Sequence, residues 1–291
     1  MIRKLLFICL FGALLTASAA PARGHGHGHG HGLRAGGFLF VGTDTEEFEG
    51  AMPNQLGRFQ TYGPSVVSGT IIPTSFPING MGDAHGFLYS GDPFSNVIRR
   101  ISYDGSLLGS TAAAFPSGCC SEDMILAGRF LYHAHYPSTI EKIDPTSGAL
   151  VQTYPQRDVV GMTFVTHDRG WSHHRRDKHR QIWISKWNAR QVGVWDPATN
   201  TFTPRFATPN LAGGLAWDPR NEVLWVGLRG GLVVPYRLSG TPFNSGFLPF
   251  GPISGTIDGL EFVRGIHVHH HHDNHQDHHH GHHHHHGHDH H

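Results

Sequence analysis

The sequence predicts an all-β fold: a β-propeller of five blades, closed by pairing of a C-terminal strand with the N-terminal blade and flanked by histidine-rich termini. Three observations predict it. A strand phrase returns at intervals of roughly 40 to 50 residues, the spacing of propeller blades. The composition is rich in turn formers, with 38 Gly and 18 Pro against only 15% charged residues, as many-stranded β proteins are. The repeat also begins and ends on partial units.

First strands open on a glycine and an alternating apolar run: Gly161-Met162-Thr163-Phe164, Gly214-Leu215-Ala216-Trp217 and Gly259-Leu260-Glu261-Phe262. Second strands follow a turn: Phe38-Leu39-Phe40-Val41, Phe87-Leu88-Tyr89, Phe130-Leu131-Tyr132, Gln181-Ile182-Trp183-Ile184 and Val223-Leu224-Trp225-Val226. Third strands run Val97 to Ile101, Thr139 to Asp144 and Gln191 to Asp196; Asp104-Gly105, Pro145-Thr146-Ser147-Gly148 and Pro197-Ala198-Thr199-Asn200 turn the chain into fourth strands. The chain enters at a second-strand phrase near Phe38 and leaves after a first-strand phrase at Gly259 to Val263. One blade is therefore shared between the ends, which protects edges an open ring would expose.

The phrases Gly214-Leu215-Ala216-Trp217-Asp218-Pro219 and Asp144-Pro145-Thr146-Ser147-Gly148 give residues 37 to 264 a resemblance to the NHL, gluconolactonase-like and related bacterial propellers. The metal-dependent lactonases of that group hold Ca²⁺ or Zn²⁺ with carboxylates and amides near the central channel. The residues expected there in this chain are Asp83, Glu122, Val160, Gly213 and Asp258. Two of the five are apolar or glycine and none is Asn, so the lactonase set is not reproduced. Asp83, Glu122 and Asp258 stand as candidate channel ligands for Ca²⁺ or Zn²⁺, or as solvated acids.

Outside the repeat, composition divides the chain. Residues 1–19 read as a secretory signal peptide, with Arg3 and Lys4 before an apolar run and Ala17-Ser18-Ala19 at the cleavage site. The apolar run is too short for a membrane span. Residues 20–36 are a Gly/His-rich flexible segment, residues 37–265 the propeller, and residues 266–291 a histidine-rich tail expected to be disordered without metal. The expected location is the periplasm or the exterior.

Histidine carries the chemistry. Of 28 in the chain, His25, His27, His29 and His31 alternate with glycine near the N-terminus. The tail contributes His267, His269, His270, His271, His272, His275, His278, His279, His280, His282, His283, His284, His285, His286, His288, His290 and His291. Neutral imidazole binds Zn²⁺, Ni²⁺ and Cu²⁺, and a flexible chain dense in it can wrap an ion without a preformed site. Interruption of the tail by Asp, Asn, Gln and Gly distinguishes it from a purification tag.

Two further clusters lie within the repeat. His167, His173, His174 and His179 sit beside Arg169, Arg175, Arg176 and Lys178 in a long inter-strand loop, suited to an anion or an acidic surface or simply solvated. Cys119 and Cys120 precede one first strand, while His133 and His135 end its second strand, so all four should meet on one face. They read as a Zn²⁺ or Cu⁺ site. The reading preferred to it is a vicinal disulfide between Cys119 and Cys120, which an oxidising compartment favours and which resembles one in quinoprotein propellers.

Lys plus Arg and Asp plus Glu number 22 each, which argues against a nucleic-acid-binding surface. No P-loop, nucleophile elbow, His-Glu-x-x-His helix or dinucleotide fingerprint occurs. The expected function is extracytoplasmic binding of Zn²⁺, Ni²⁺ or Cu²⁺ for sequestration, buffering or delivery. The alternatives are a metal-dependent propeller hydrolase or lyase, and an interaction module for a periplasmic or surface protein.

Overall fold

The computed structural model describes residues 35–42, 54–84, 86–91, 96–113, 121–166 and 180–265. They form five antiparallel sheets and no helix. Blade 1 joins the two ends of the described chain in the order β19-β1-β2-β3, with β1 Ala35–Gly42, β2 Gln55–Tyr62, β3 Ser65–Pro73 and β19 Gly259–Arg264. Blade 2 is β4 Met81–Asp83, β5 Leu88–Gly91, β6 Val97–Ile101 and β7 Leu107–Ala112. Blade 3 is β8 Ser121–Ala127, β9 Phe130–His135, β10 Thr139–Ile143 and β11 Leu150–Tyr154. Blade 4 is β12 Val159–Thr166, β13 Arg180–Lys186, β14 Gln191–Asp196 and β15 Thr201–Ala207. Blade 5 has three strands, β16 Ala212–Asp218, β17 Val223–Leu228 and β18 Leu232–Tyr236.

The first strands β19, β4, β8, β12 and β16 pack in a ring around the axis. Closure is the predicted one: β1 pairs antiparallel with β19, from Gly37 opposite Arg264 to Gly42 opposite Gly259. Blade 5 departs from the repeat. Its outer edge is covered by an irregular segment rather than a fourth strand, with Val233 and Phe247 exchanging both backbone hydrogen bonds. The sequence there, Ser239 to Gly251, is broken by Pro, Gly and Asn and has no alternating run.

Inter-blade cores follow the strand alternation. Met124 of blade 3 packs with Ile98 of blade 2, while Ile125, its neighbour in sequence, packs with Met162 and Ile184 of blade 4. Successive residues thus face opposite neighbours. Ring size is set by small residues on the inner strands: a side chain at Gly214 would collide with the Asp258 carbonyl of the next blade.

Candidate functional site

The axis is occupied by one carboxylate. Asp123, wholly buried in β8, accepts the backbone N–H of Met81 at 3.1 Å and of Met124 at 2.9 Å on one oxygen. Its other oxygen accepts those of Met162 at 2.9 Å and Leu215 at 3.4 Å. Four blades therefore point an N–H at a single side chain. A β-bulge makes this possible: pairing of β8 with β9 shifts register between Ser121 and Met124, and the extra residue turns Asp123 toward the axis. Burial pushes its pKa well above the usual carboxylate range, against the downward pull of the four donors. The nearby Glu261 carboxyl is raised as well, by burial first and then by the charges of Asp83 and Asp123. Asp83 receives a hydrogen bond from the Tyr103 hydroxyl at 2.6 Å, and burial and that carboxylate hold the phenol protonated.

The common contact to Asp123 puts Met81, Met124, Met162 and Leu215 in register. Counting back two residues from each places Asn79, Glu122, Val160 and Gly213 at one level, with Asp258 in the matching place before Gly259. Asp83 is thus not the partner of Glu122 and Asp258; Asn79 is. The sequence expectation matched an acid by type, whereas the inner strand of blade 2 reads Asn79-Gly80-Met81 and carries its acid four residues later. The side-chain amide of Asn79 donates to the Ser121 carbonyl. Among the described residues no group of three or more His, Cys, Asp or Glu side chains converges as a metal site. The channel donor set implied by the lactonase resemblance therefore does not fit here, and no step is derived through such an ion.

A second polar cluster lies between blades 2 and 3. Ser121 pairs with His135 and His135 with Thr139, while His133 pairs with Glu141. Cross-strand partners share a face, and His133 and His135, two apart, do too. The face looks at blade 2, since a side chain at Gly91 would strike the Ser121 hydroxyl. Ser121 Oγ lies 2.7 Å from His133 Nε2, and His133 Nδ1 lies 3.4 Å from Glu141 Oε2. Ser121, His133 and Glu141 are all buried, at 4%, 0% and 0% exposure. Burial lowers the His133 pKa; Glu141 opposes that and His135 adds to it. Both ring nitrogens of His135, Thr139 Oγ1 and Glu141 Oε1 are buried without a hydrogen-bond partner.

The sequence singled out His133 and His135 but not Ser121 or Glu141, although their spacing across three adjacent strands was the available signal. Cys119 and Cys120 lie outside the described residues, as do His167, His173, His174 and His179 and every histidine of the two terminal segments.

No family model matches the chain, and no curated protein matches it. Among solved structures, a nidogen/laminin complex aligns with TM-score 0.50 and 12% identity over 79% of this chain and 99% of that one. A glutaminyl cyclase from Myxococcus xanthus aligns with TM-score 0.43 and 12% identity over 79% and 100%. A protein of unknown function from Bacteroides caccae aligns with TM-score 0.40 and 12% identity, over 72% of each chain. The first likeness supports the propeller fold. At this identity it speaks to fold alone.

Proposed function

We propose that the protein binds divalent transition metals, Zn²⁺, Ni²⁺ or Cu²⁺, outside the cytoplasm through its two histidine-rich segments, with the propeller as a rigid platform. The observation that carries this reading is the closure pairing, which sets Gly37 opposite Arg264. His31 precedes Gly37 by six positions and His267 follows Arg264 by three. Paired strands lie ~4.8 Å apart, so Gly37 and Arg264 sit side by side at one end of one sheet. Each segment is dense enough in imidazole to wrap an ion by itself. The signal-like residues 1–19 support an exported location, where such a protein would buffer or deliver metal.

The test is Zn²⁺ calorimetry on the full chain and on variants lacking residues 267–291 or 25–31. The full chain is expected to bind several ions, and each deletion to lower the stoichiometry. An unchanged stoichiometry after removal of 267–291 would sink the proposal.

A further inference from the structure

We propose that Ser121, His133 and Glu141 form a nucleophile, base and carboxylate relay that transfers the acyl group of a small ester to Ser121 Oγ. This goes beyond metal binding and does not depend on it. The relay rests on three adjacent strands of one sheet, β8, β9 and β10, so its geometry is fixed by register rather than by a loop. Ser121 reaches the sheet face of His133 only because of the bulge between Ser121 and Met124; an unbroken strand would put residues three apart on opposite faces. The hydroxyl-to-imidazole distance of 2.7 Å is that of a hydrogen bond ready for proton transfer. The imidazole-to-carboxylate distance of 3.4 Å is looser, as such contacts are before substrate arrives.

The unpartnered atoms supply the second argument. Buried polar groups are nearly always satisfied, and exceptions call for a missing partner. Here Thr139 Oγ1 and the two ring nitrogens of His135 lack one, on the same face as Ser121. His135 is the cross-strand partner of Ser121, and an imidazole N–H beside a nucleophile is a donor an oxyanion requires. One face of the sheet thus gathers nucleophile, base, orienting carboxylate and a spare imidazole, the set acyl transfer uses.

The step balances without a co-reactant beyond water. Ser121 Oγ bonds to the carbonyl carbon as its proton passes to His133 Nε2. The C–O bond to the alcohol then breaks, and the alcohol leaves with that proton. Water, deprotonated by His133, releases the acid and restores Ser121. The burial of Ser121, at 4% exposure, restricts the acyl group to a small one.

The test uses the full chain with chelator present, so that the histidine segments hold no metal. Diisopropyl fluorophosphate is the probe: Oγ bonds to phosphorus, fluoride leaves, and the proton goes to His133. The expected result is one adduct per chain, mapped by peptide mass spectrometry to Ser121 and absent in Ser121→Ala. Labelling should slow about 100-fold or more in His133→Gln. Glu141→Gln should slow it about ten-fold, and Glu141→Asp should recover part of that loss, which marks Glu141 as a positioning residue. Hydrolysis of p-nitrophenyl acetate should fall in parallel. Failure of the folded wild-type chain to label at Ser121 overturns the proposal, as does a rate unchanged in a His133→Gln variant whose circular dichroism is native.

Discussion

The Asp123 carboxylate on blade 3 and the Met162 backbone N–H on blade 4 lie 2.9 Å apart on the propeller axis. The same side chain binds Met81, Met124 and Leu215, so one residue stands where a ring of five inner strands would otherwise leave N–H groups facing each other. A buried donor without a partner costs about 1–3 kcal/mol. Asp123→Ala leaves four such donors, and we expect a loss of at least ~3 kcal/mol in urea unfolding, partly relieved where water fills the space. Asp123→Asn should also destabilise, because its NH₂ presents a donor to donors. An Asp123→Ala variant within 1 kcal/mol of wild type, roughly the worth of a single ordinary hydrogen bond, would contradict this account of the axis.

Two carboxyls, Asp123 wholly buried and Glu261 half-buried, give stability a distinctive pH dependence. Burial raises both Asp123 and Glu261 above their ordinary values of 3.8 and 4.5. Between those values and the raised ones, the folded chain holds more protons than the unfolded chain. Their contribution is therefore full below about pH 4 and is lost as pH rises through the folded values. His133 acts in the opposite sense: its pKa is lowered from 6.5, so its contribution is present above that value and is lost as pH falls through the folded one. Urea midpoints measured against pH on chain lacking residues 267–291 should show a decline on the alkaline side that flattens in Glu261→Gln. A Glu261→Gln profile parallel to wild type would show that this carboxyl does not titrate as described.

Much of the fold was legible because the repeat phrases are local. Val192, Val194 and Trp195 sit on the third strand of blade 4, and Asp144 caps its own turn by accepting the N–H of Thr146 at 2.8 Å. The shared blade was legible too, from partial units at the two ends of the repeat. Channel register was not. Asn79 becomes the equivalent of Glu122 only through the contact of Met81 with Asp123, 42 positions away, and no pattern along one strand encodes it. Ser121 was missed for a related reason, since only a bulge brings it to the face of His133.

Ring closure is directly testable by truncation. β19 supplies Leu260 and Phe262 to the core shared with Leu39, Val41 and Trp225, and Ile257 just before it is buried there as well. Ending the chain after Gly265 keeps all three, and its thermal midpoint should match that of the full chain without metal. Ending it after Ser254 removes them and leaves β1 with an unpaired edge. Three buried large apolar side chains correspond to roughly 1.5–3 kcal/mol each, enough to exceed the whole stability of many domains. That truncation should not fold cooperatively, and equal midpoints for the two chains would refute closure by β19.

The turn between the third and fourth strands of blade 3 offers a sharper test of how blades meet. Gly148 adopts φ of 72°, in the left-handed region that side chains disfavour. Its N–H donates to the Asp144 carbonyl at 2.8 Å, and the Asp144 N–H donates to Ala149 at 2.9 Å, which closes the loop. The space is limited as well, because a Cβ at Gly148 would overlap the Ala112 carbonyl at the end of β7, on the neighbouring blade. Strain and collision therefore act at the same atom. By contrast Gly128, at φ of 65°, has open space around its Cβ position, so a substitution there meets only the backbone strain, about 1 kcal/mol. Gly148→Ala should cost distinctly more than Gly128→Ala in urea unfolding, on the order of 2 kcal/mol more once blade 2 has to shift. Equal losses at the two positions would mean that blade 2 does not press on this turn.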